Sequence, residues 1–269
     1  MKEILNKSFM LLAAGLLLSA CEKNGIPELT EPVPEAAHVK FFFHVEGAPR
    51  ANFYLDNEKV TAVASTANND VLGNLYGSIY PSNAYAVLPA GNFTLSAIDT
   101  VAITGTGSAE VLATADVSLQ TDKNYSAYLV GTTAKYEIYL AEDNLPAADP
   151  VKNYWRFVNT MSGMPFNVDA YAIRAALPAT DDAPAQEEEV IALGTNIGFK
   201  EHGEYKELKP GAYTYKLFPA GTEYDPSTST PYIQHTFNLA TMGRVYSTQI
   251  RGTYSETPKS TNIDYWRER

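Results

Sequence analysis

Tyr85-Ala86-Val87-Leu88-Pro89-Ala90-Gly91-Asn92-Phe93-Thr94 returns 120 positions later as Tyr205-Lys206-Glu207-Leu208-Lys209-Pro210-Gly211-Ala212-Tyr213-Thr214. Tyrosine, leucine, turn glycine, aromatic and threonine keep their order, although every residue between them has changed. The correspondence extends both ways. Upstream, Val39-Lys40-Phe41-Phe42-Phe43 lines up with Trp155-Arg156-Phe157-Val158-Asn159, each followed by a Gly-x-Pro turn, Gly47-Ala48-Pro49 and Gly163-Met164-Pro165. Downstream, Leu119, Tyr125-Ser126 and Gly131-Thr132 line up with Leu239, Tyr246-Ser247 and Gly252-Thr253. A period of about 116 to 121 residues, carried by turn glycines and core aromatics, is the mark of a duplicated module.

Each copy reads as strands. Val39, Phe41, Phe43 and Val45 alternate with Lys40, Phe42 and His44, and Tyr136, Ile138 and Leu140 alternate likewise. Apolar residues at every second position place one strand face in a core. Turn residues separate the runs, among them Asp56-Asn57, Asn68-Asn69-Asp70 and Asp122-Lys123-Asn124. No apolar stripe of helical period is sustained after the first 20 residues. Seven or eight short strands per copy predict an all-β chain of two tandem immunoglobulin-like β-sandwich domains, residues 37–142 and 154–269. Residues 143–153, opening Asp143-Asn144-Leu145-Pro146, read as the linker.

The amino terminus carries a different message. Lys2 and Lys7 precede an apolar run from Phe9 to Leu18, then Leu18-Ser19-Ala20-Cys21. A cationic start, a short apolar segment and small residues form an export signal, too short to span a bilayer as a helix. The cysteine at the cut resembles the lipobox of bacterial lipoproteins, which implies removal of residues 1–20 and acylation of Cys21. Residues 21–36, rich in Pro and Glu, then form an extended tether of roughly 45 Å at most, at about 3 Å per residue.

The chain has 20 basic and 31 acidic side chains and a net charge of −11. That balance argues against a nucleic-acid partner, which needs clustered Lys and Arg. Contact with a membrane is expected through the lipid alone. Cys21 is the only cysteine, so no disulfide within one molecule is available and stability must come from packing.

At the opening of each copy the chain resembles the domain of unknown function 4397. The motif is Ala48-Pro49-Arg50-Ala51-Asn52-Phe53-Tyr54-Leu55-Asp56-Asn57, with Pro165 to Tyr171 as its second, longer version. Asn52 stands where the family pattern has Asp. The resemblance implies an immunoglobulin-like sandwich in a cell-surface or periplasmic setting, with no activity to carry over. A looser resemblance is to envelope fimbrial subunits, which also join a lipobox to two β-sandwiches.

The sequence holds no zincin, Cys-x-x-Cys, Gly-x-Ser-x-Gly or phosphate-loop motif. His38, His44, His202 and His235 are scattered, with His44 on the outward register of its strand and His235 among inward positions. Asp181-Asp182 and Glu187-Glu188-Glu189 read as a solvated loop, lacking the alternating ligands of a calcium loop. Asp99-Thr100-Val101 is similar to a bacterial O-glycosylation sequon, with an ordinary turn as the default reading. No catalytic residue, metal ligand or cofactor is expected.

Aromatics are the better lead for binding. Tyr76, Tyr80 and Tyr85 crowd the first copy, and Tyr224, Tyr232, Tyr254, Tyr265 and Trp266 the second. The loop Tyr224 to Tyr232, with Trp266, is the candidate contact surface for a glycan or protein partner. The expectation is a non-catalytic, lipid-anchored protein of the bacterial cell envelope. It would be an outer-membrane lipoprotein, periplasmic or surface-exposed, acting in binding or adhesion. The alternatives are a structural or accessory subunit of a fimbria-like appendage, then an envelope carbohydrate-active enzyme.

Overall fold

A computed structural model of the chain describes residues 35–63, 73–100, 109–181, 184–260 and 262–269. The expected export signal, Cys21, most of the expected tether and the predicted Asn68-Asn69-Asp70 turn lie outside the described residues. Residues 34–269 form one compact unit.

The first half contributes β1 (Ala36–Phe43), β2 (Ala51–Leu55), β3 (Glu58–Lys59), β4 (Ile79–Tyr80), β5 (Ala86–Pro89), β6 (Gly91–Asp99), β7 (Val111–Leu119), β8 (Asn124–Thr132) and β9 (Lys135–Glu142). The second contributes β10 (Asn153–Ser162), β11 (Val168–Arg174), β12 (Glu189–Ile197), β13 (Glu201–His202), β14 (Lys206–Leu208), β15 (Gly211–Pro219), β16 (Ile233–Leu239), β17 (Val245–Thr253) and β18 (Ile263–Arg267). No helix occurs among the described residues.

The halves are built alike. In the first, one sheet runs β4-β1-β8-β9 with β5 also on β1, and the other runs β3-β2-β6-β7. In the second, the matching orders are β13-β10-β17-β18 with β14 on β10, and β12-β11-β15-β16. Register confirms residue-by-residue equivalence. Val39 pairs with Tyr125 in the parallel β1–β8 ladder, and Trp155 with Tyr246 in the parallel β10–β17 ladder. Tyr125 faces Glu142 across the β8–β9 hairpin, and Tyr246 faces Arg267 across β17–β18.

Each sandwich has its own core. In the first, Phe41 and Phe43 meet Phe53 from the opposite sheet at 5.0 and 5.2 Å between ring centroids. In the second, Trp155 meets Tyr215 at 5.7 Å and Phe237 at 5.5 Å. Large aromatics from both sheets fill the space between layers about 10 Å apart.

The outward residues of β1, and His44 just after it, depart from expectation. Lys40, Phe42 and His44 alternate with the core residues, yet all three are buried. The cause is a third core: Phe42, Tyr128, Val130, Ala141 and Val158, with Ile79, Tyr139, Phe199 and Trp266 against it. The outer faces of the two five-stranded sheets pack on one another, so strands β1 and β8 are covered on both sides. Phe42 and Tyr128 stack at 4.5 Å within this seam, and Trp266 meets Phe42 edge-on at 6.4 Å.

The seam is self-complementary. His44 Nδ1 lies 2.7 Å from Thr160 Oγ1, residues 116 positions apart that occupy the same place in the two copies. Gln249 Nε2 donates to Tyr128 Oη at 3.3 Å, again between equivalent positions, 121 apart. A position that touches its own counterpart lies on a two-fold axis, as in an isologous dimer interface. Here both halves of that interface belong to one chain.

Candidate functional site

The strongest concentration of charge lies on the seam. Lys40 Nζ donates to Glu268 Oε2 at 2.6 Å, both side chains fully buried. Arg156 pairs with Asp143, their side chains 1% and 0% exposed. Lys40 and Arg156 are equivalent positions, as are Asp143 and Glu268. Each copy thus lends a cation to the other copy's carboxylate. The Tyr85 hydroxyl lies 3.0 Å from both carboxylates, Ser126 donates to Asp143 at 2.7 Å, and Arg156 Nε donates to Ser247 at 2.9 Å. Lys40 sits over the Tyr85 ring at 4.4 Å, and Arg156 over the Tyr205 ring at 4.8 Å.

Burial pushes the Asp143 carboxyl above its usual range, against the pull of Arg156. Burial acts the same way on Glu268, but Lys40 and Arg156 together outweigh it and hold that carboxyl low. Tyr85 is raised far above an ordinary phenol, by burial and then by the two carboxylates. Two carboxylates meeting at one hydroxyl have the look of an acid–base pair. Yet both are sealed from solvent and each is neutralised by a cation, so the cluster fixes how the sandwiches dock. Asp143, the first residue of the expected linker, is buried in this lock because it follows directly on β9.

The remaining predicted residues separate. Trp266, expected as an exposed aromatic, is half-buried against Phe42 because β18 forms part of the seam. Tyr76 packs under Arg251 at 4.3 Å, also across the seam. Tyr224 stacks on Phe218 at 4.3 Å and donates to Asp169. Asp169 occupies the place of Asn52, whose amide oxygen accepts from Thr61 and Asn74 at 3.2 and 3.1 Å. In both copies this position ties down the adjoining loop. Tyr232 packs on Tyr254 and Phe166, 5.8 and 5.6 Å away. Tyr224, Tyr232 and Trp266 therefore lie in three separate packing clusters, and Cys21 lies outside the described residues.

The histidines also stay apart. His235 keeps the predicted strand parity but is exposed on β16, an edge strand, resting on Phe237 at 4.6 Å. His202 donates from Nδ1 to the Gly203 carbonyl at 3.0 Å. No group of three potential metal ligands occurs among the described residues. In the acidic loop, Glu189 pairs with Arg174 at 2.8 Å and Glu188 accepts from Ser227; Asp182 lies outside the described residues. Thr100 is buried and donates to the Arg50 carbonyl at 3.2 Å, so its hydroxyl is not presented for glycosylation. Val101 lies outside the described residues.

What sequence reading missed are the concave surfaces. A groove of about 590 Å³ opens at one edge of the first sandwich, between the β2–β3 turn and β5. Tyr80, Val87 and Phe93 give it an apolar wall, and Asp56, Glu58 and Lys59 line its polar side. Residues distant in sequence meet there because β5 pairs antiparallel with the first half of β1, Ala36 opposite Pro89 and Val39 opposite Ala86.

The family model described as domain of unknown function (DUF4397) matches residues 37–171. The chain belongs to this family. The match covers the first sandwich and enters the second, which repeats its strand order. No curated protein matches the chain.

Among solved structures, the Bacillus anthracis TIE protein aligns at 13% identity over 81% of this chain and 34% of its own, TM-score 0.22. This chain thus spans about a third of that protein's length. Family 41 carbohydrate-binding modules from streptococcal virulence factors align at 10% identity over 86% and 97%, TM-score 0.25. A family 26 module from Eubacterium rectale Amy13K aligns at 11% over 87% and 97%, TM-score 0.22. At these TM-scores the superpositions carry no argument about function.

Proposed function

We propose that this DUF4397 protein is a non-catalytic binding module of the bacterial cell envelope. It is held at the outer membrane by acyl chains on Cys21 and displays two fused sandwiches to a glycan or protein partner. The observation that carries the reading is the groove on the first sandwich. A mixed apolar and polar cleft of this size falls within the roughly 300–1,000 Å³ of small-ligand sites, and it sits on a scaffold held rigid by the seam. Val87 and Lys59 are exposed at its rim. The lipobox supports anchoring, and a tether of roughly 45 Å would carry the groove clear of the headgroups.

The test uses the full lipidated chain, purified in detergent, on glycan and envelope-protein arrays beside Val87→Asp and Lys59→Glu. A hit reduced at least tenfold by either substitution supports the reading. Blank arrays together with turnover in a hydrolase substrate panel overturn it. Mass spectrometry of the mature amino terminus tests the anchor, and an unmodified position 21 removes it.

A further inference from the structure

The chain has seven arginines, and five are engaged. Arg156, Arg174 and Arg251 pair with Asp143, Glu189 and Asp264. Arg50 donates to the Gly73 carbonyl and Arg269 to that of Pro146. Only the guanidinium groups of Arg244 and Arg267 make no hydrogen bond or ion pair among the described residues. In a chain where acids outnumber bases 31 to 20, that is unexpected, and the two lie together. They line one cleft of about 380 Å³ with Asn83, Thr241, Tyr246 and Tyr265, and no acidic residue takes part.

The cleft is assembled from both sandwiches. Arg244 and Tyr246 stand at the start of β17, and Tyr265 and Arg267 at the end of β18 beside them. Asn83 comes from the first sandwich. Tyr265 is 43% exposed, and its ring is braced from behind by Phe237 at 4.7 Å and Tyr246 at 6.1 Å. Burial raises the Tyr246 phenol, while the charges of Arg244 and Arg267 pull it down, so both cations bear on that hydroxyl.

We infer that this cleft binds an acidic sugar, with the sugar face on Tyr265 and its carboxylate between Arg244 and Arg267. A fixed aromatic face suits a pyranose ring. A guanidinium matches a carboxylate with two parallel hydrogen bonds, where an ammonium would give a point charge. Asn83 and Thr241 are placed for ring hydroxyls. The site is distinct from the groove of the first sandwich, whose Asp56 and Glu58 disfavour an anion. The inference therefore goes beyond the groove assignment and can fail separately from it.

The test is calorimetric and NMR titration of the full chain with glucuronate, glucose and sulfate at constant ionic strength. Expected is binding of glucuronate at least tenfold tighter than of glucose or sulfate. Arg244→Ala and Arg267→Ala should each cost about tenfold or more, and Tyr265→Ala several-fold. Val87→Asp in the other groove should leave glucuronate binding unchanged. Far-UV circular dichroism and melting curves establish that each variant is folded, and Arg267→Lys separates charge from geometry by recovering only part of the loss. Equal affinity for glucose and glucuronate overturns the carboxylate role. Sulfate binding as well as glucuronate overturns the sugar, and unchanged binding in the Arg244→Ala/Arg267→Ala double variant overturns the site.

Discussion

Arg156 and Asp143 are buried together on the seam, and that dictates how they respond to mutation. Removing one partner leaves a charge in a dry site, which costs about 3–5 kcal/mol, whereas replacing both by apolar side chains is often neutral. Asp143→Ala is therefore expected to destabilise by that amount in urea denaturation. The double variant Asp143→Leu/Arg156→Met should recover most of the loss. His44 adds a pH dependence. Thr160 gives its single proton to the Ile250 carbonyl at 2.6 Å, so the imidazole must donate from Nδ1 in the bond between them. Burial, and then the charge of Arg251, holds its pKa well below 6.5. Below about pH 6.5 the unfolded chain takes up a proton that the folded one refuses, so stability falls with acidification by up to about 1.4 kcal/mol per pH unit. His44→Gln should flatten that part of the stability profile relative to wild type, measured by urea midpoints from pH 7.5 to 5. A seam histidine of this kind was legible in sequence only as an outward strand position. Alternation tells which face a residue takes, not what covers that face.

At the scale of elements, the glycines that carried the repeat have a steric purpose. Gly131 ends the straight run of β8 with φ +105°, and a Cβ there would stand 2.2 Å from the Lys135 carbonyl oxygen. Its counterpart Gly252 has φ +88°, and a Cβ would meet the Tyr76 hydroxyl at 2.5 Å, across the seam. Both positions combine left-handed backbone with close approach. Gly131→Ala should lower stability by about 2 kcal/mol or more, through the β8–β9 hairpin alone. Gly252→Ala should do so by disturbing the contact between sandwiches, and a Gly252→Ala/Tyr76→Phe pair should recover part of the cost in thermal melts. These elements were the most readable part of the chain, because a turn glycine and a two-residue period are local signals. The groove and the arginine cleft were not, since each gathers side chains from segments far apart in sequence. Trp266 shows the same limit: the sequence marked it as an aromatic of the second copy, but not the sheet face lying against it.

Across the whole molecule the two sandwiches behave as one body. Ion pairs, stacked rings and a shared apolar cluster join them, with Lys200 of the second reaching Glu137 of the first at 2.5 Å. An engineered protease site at the exposed Ala147-Ala148 pair, once cut, should leave the halves co-eluting as a single species in gel filtration. The Asp143→Ala cut protein should come apart. The duplication was legible because turns and core aromatics recur; the docking was not, because Lys40 with Glu268 and Arg156 with Asp143 differ in every residue type from one copy to the other. Seen as an interface, the seam is a surface that recognises its own duplicate. Should acid or denaturant pry it open, the freed face of one molecule would find an equally good match on its neighbour. The product at high concentration would be an exchanged dimer, in which each sandwich clasps the opposite half of another chain. Such a dimer would form only while the seam is open, and the covalent joint keeps it rare by presenting the correct partner first.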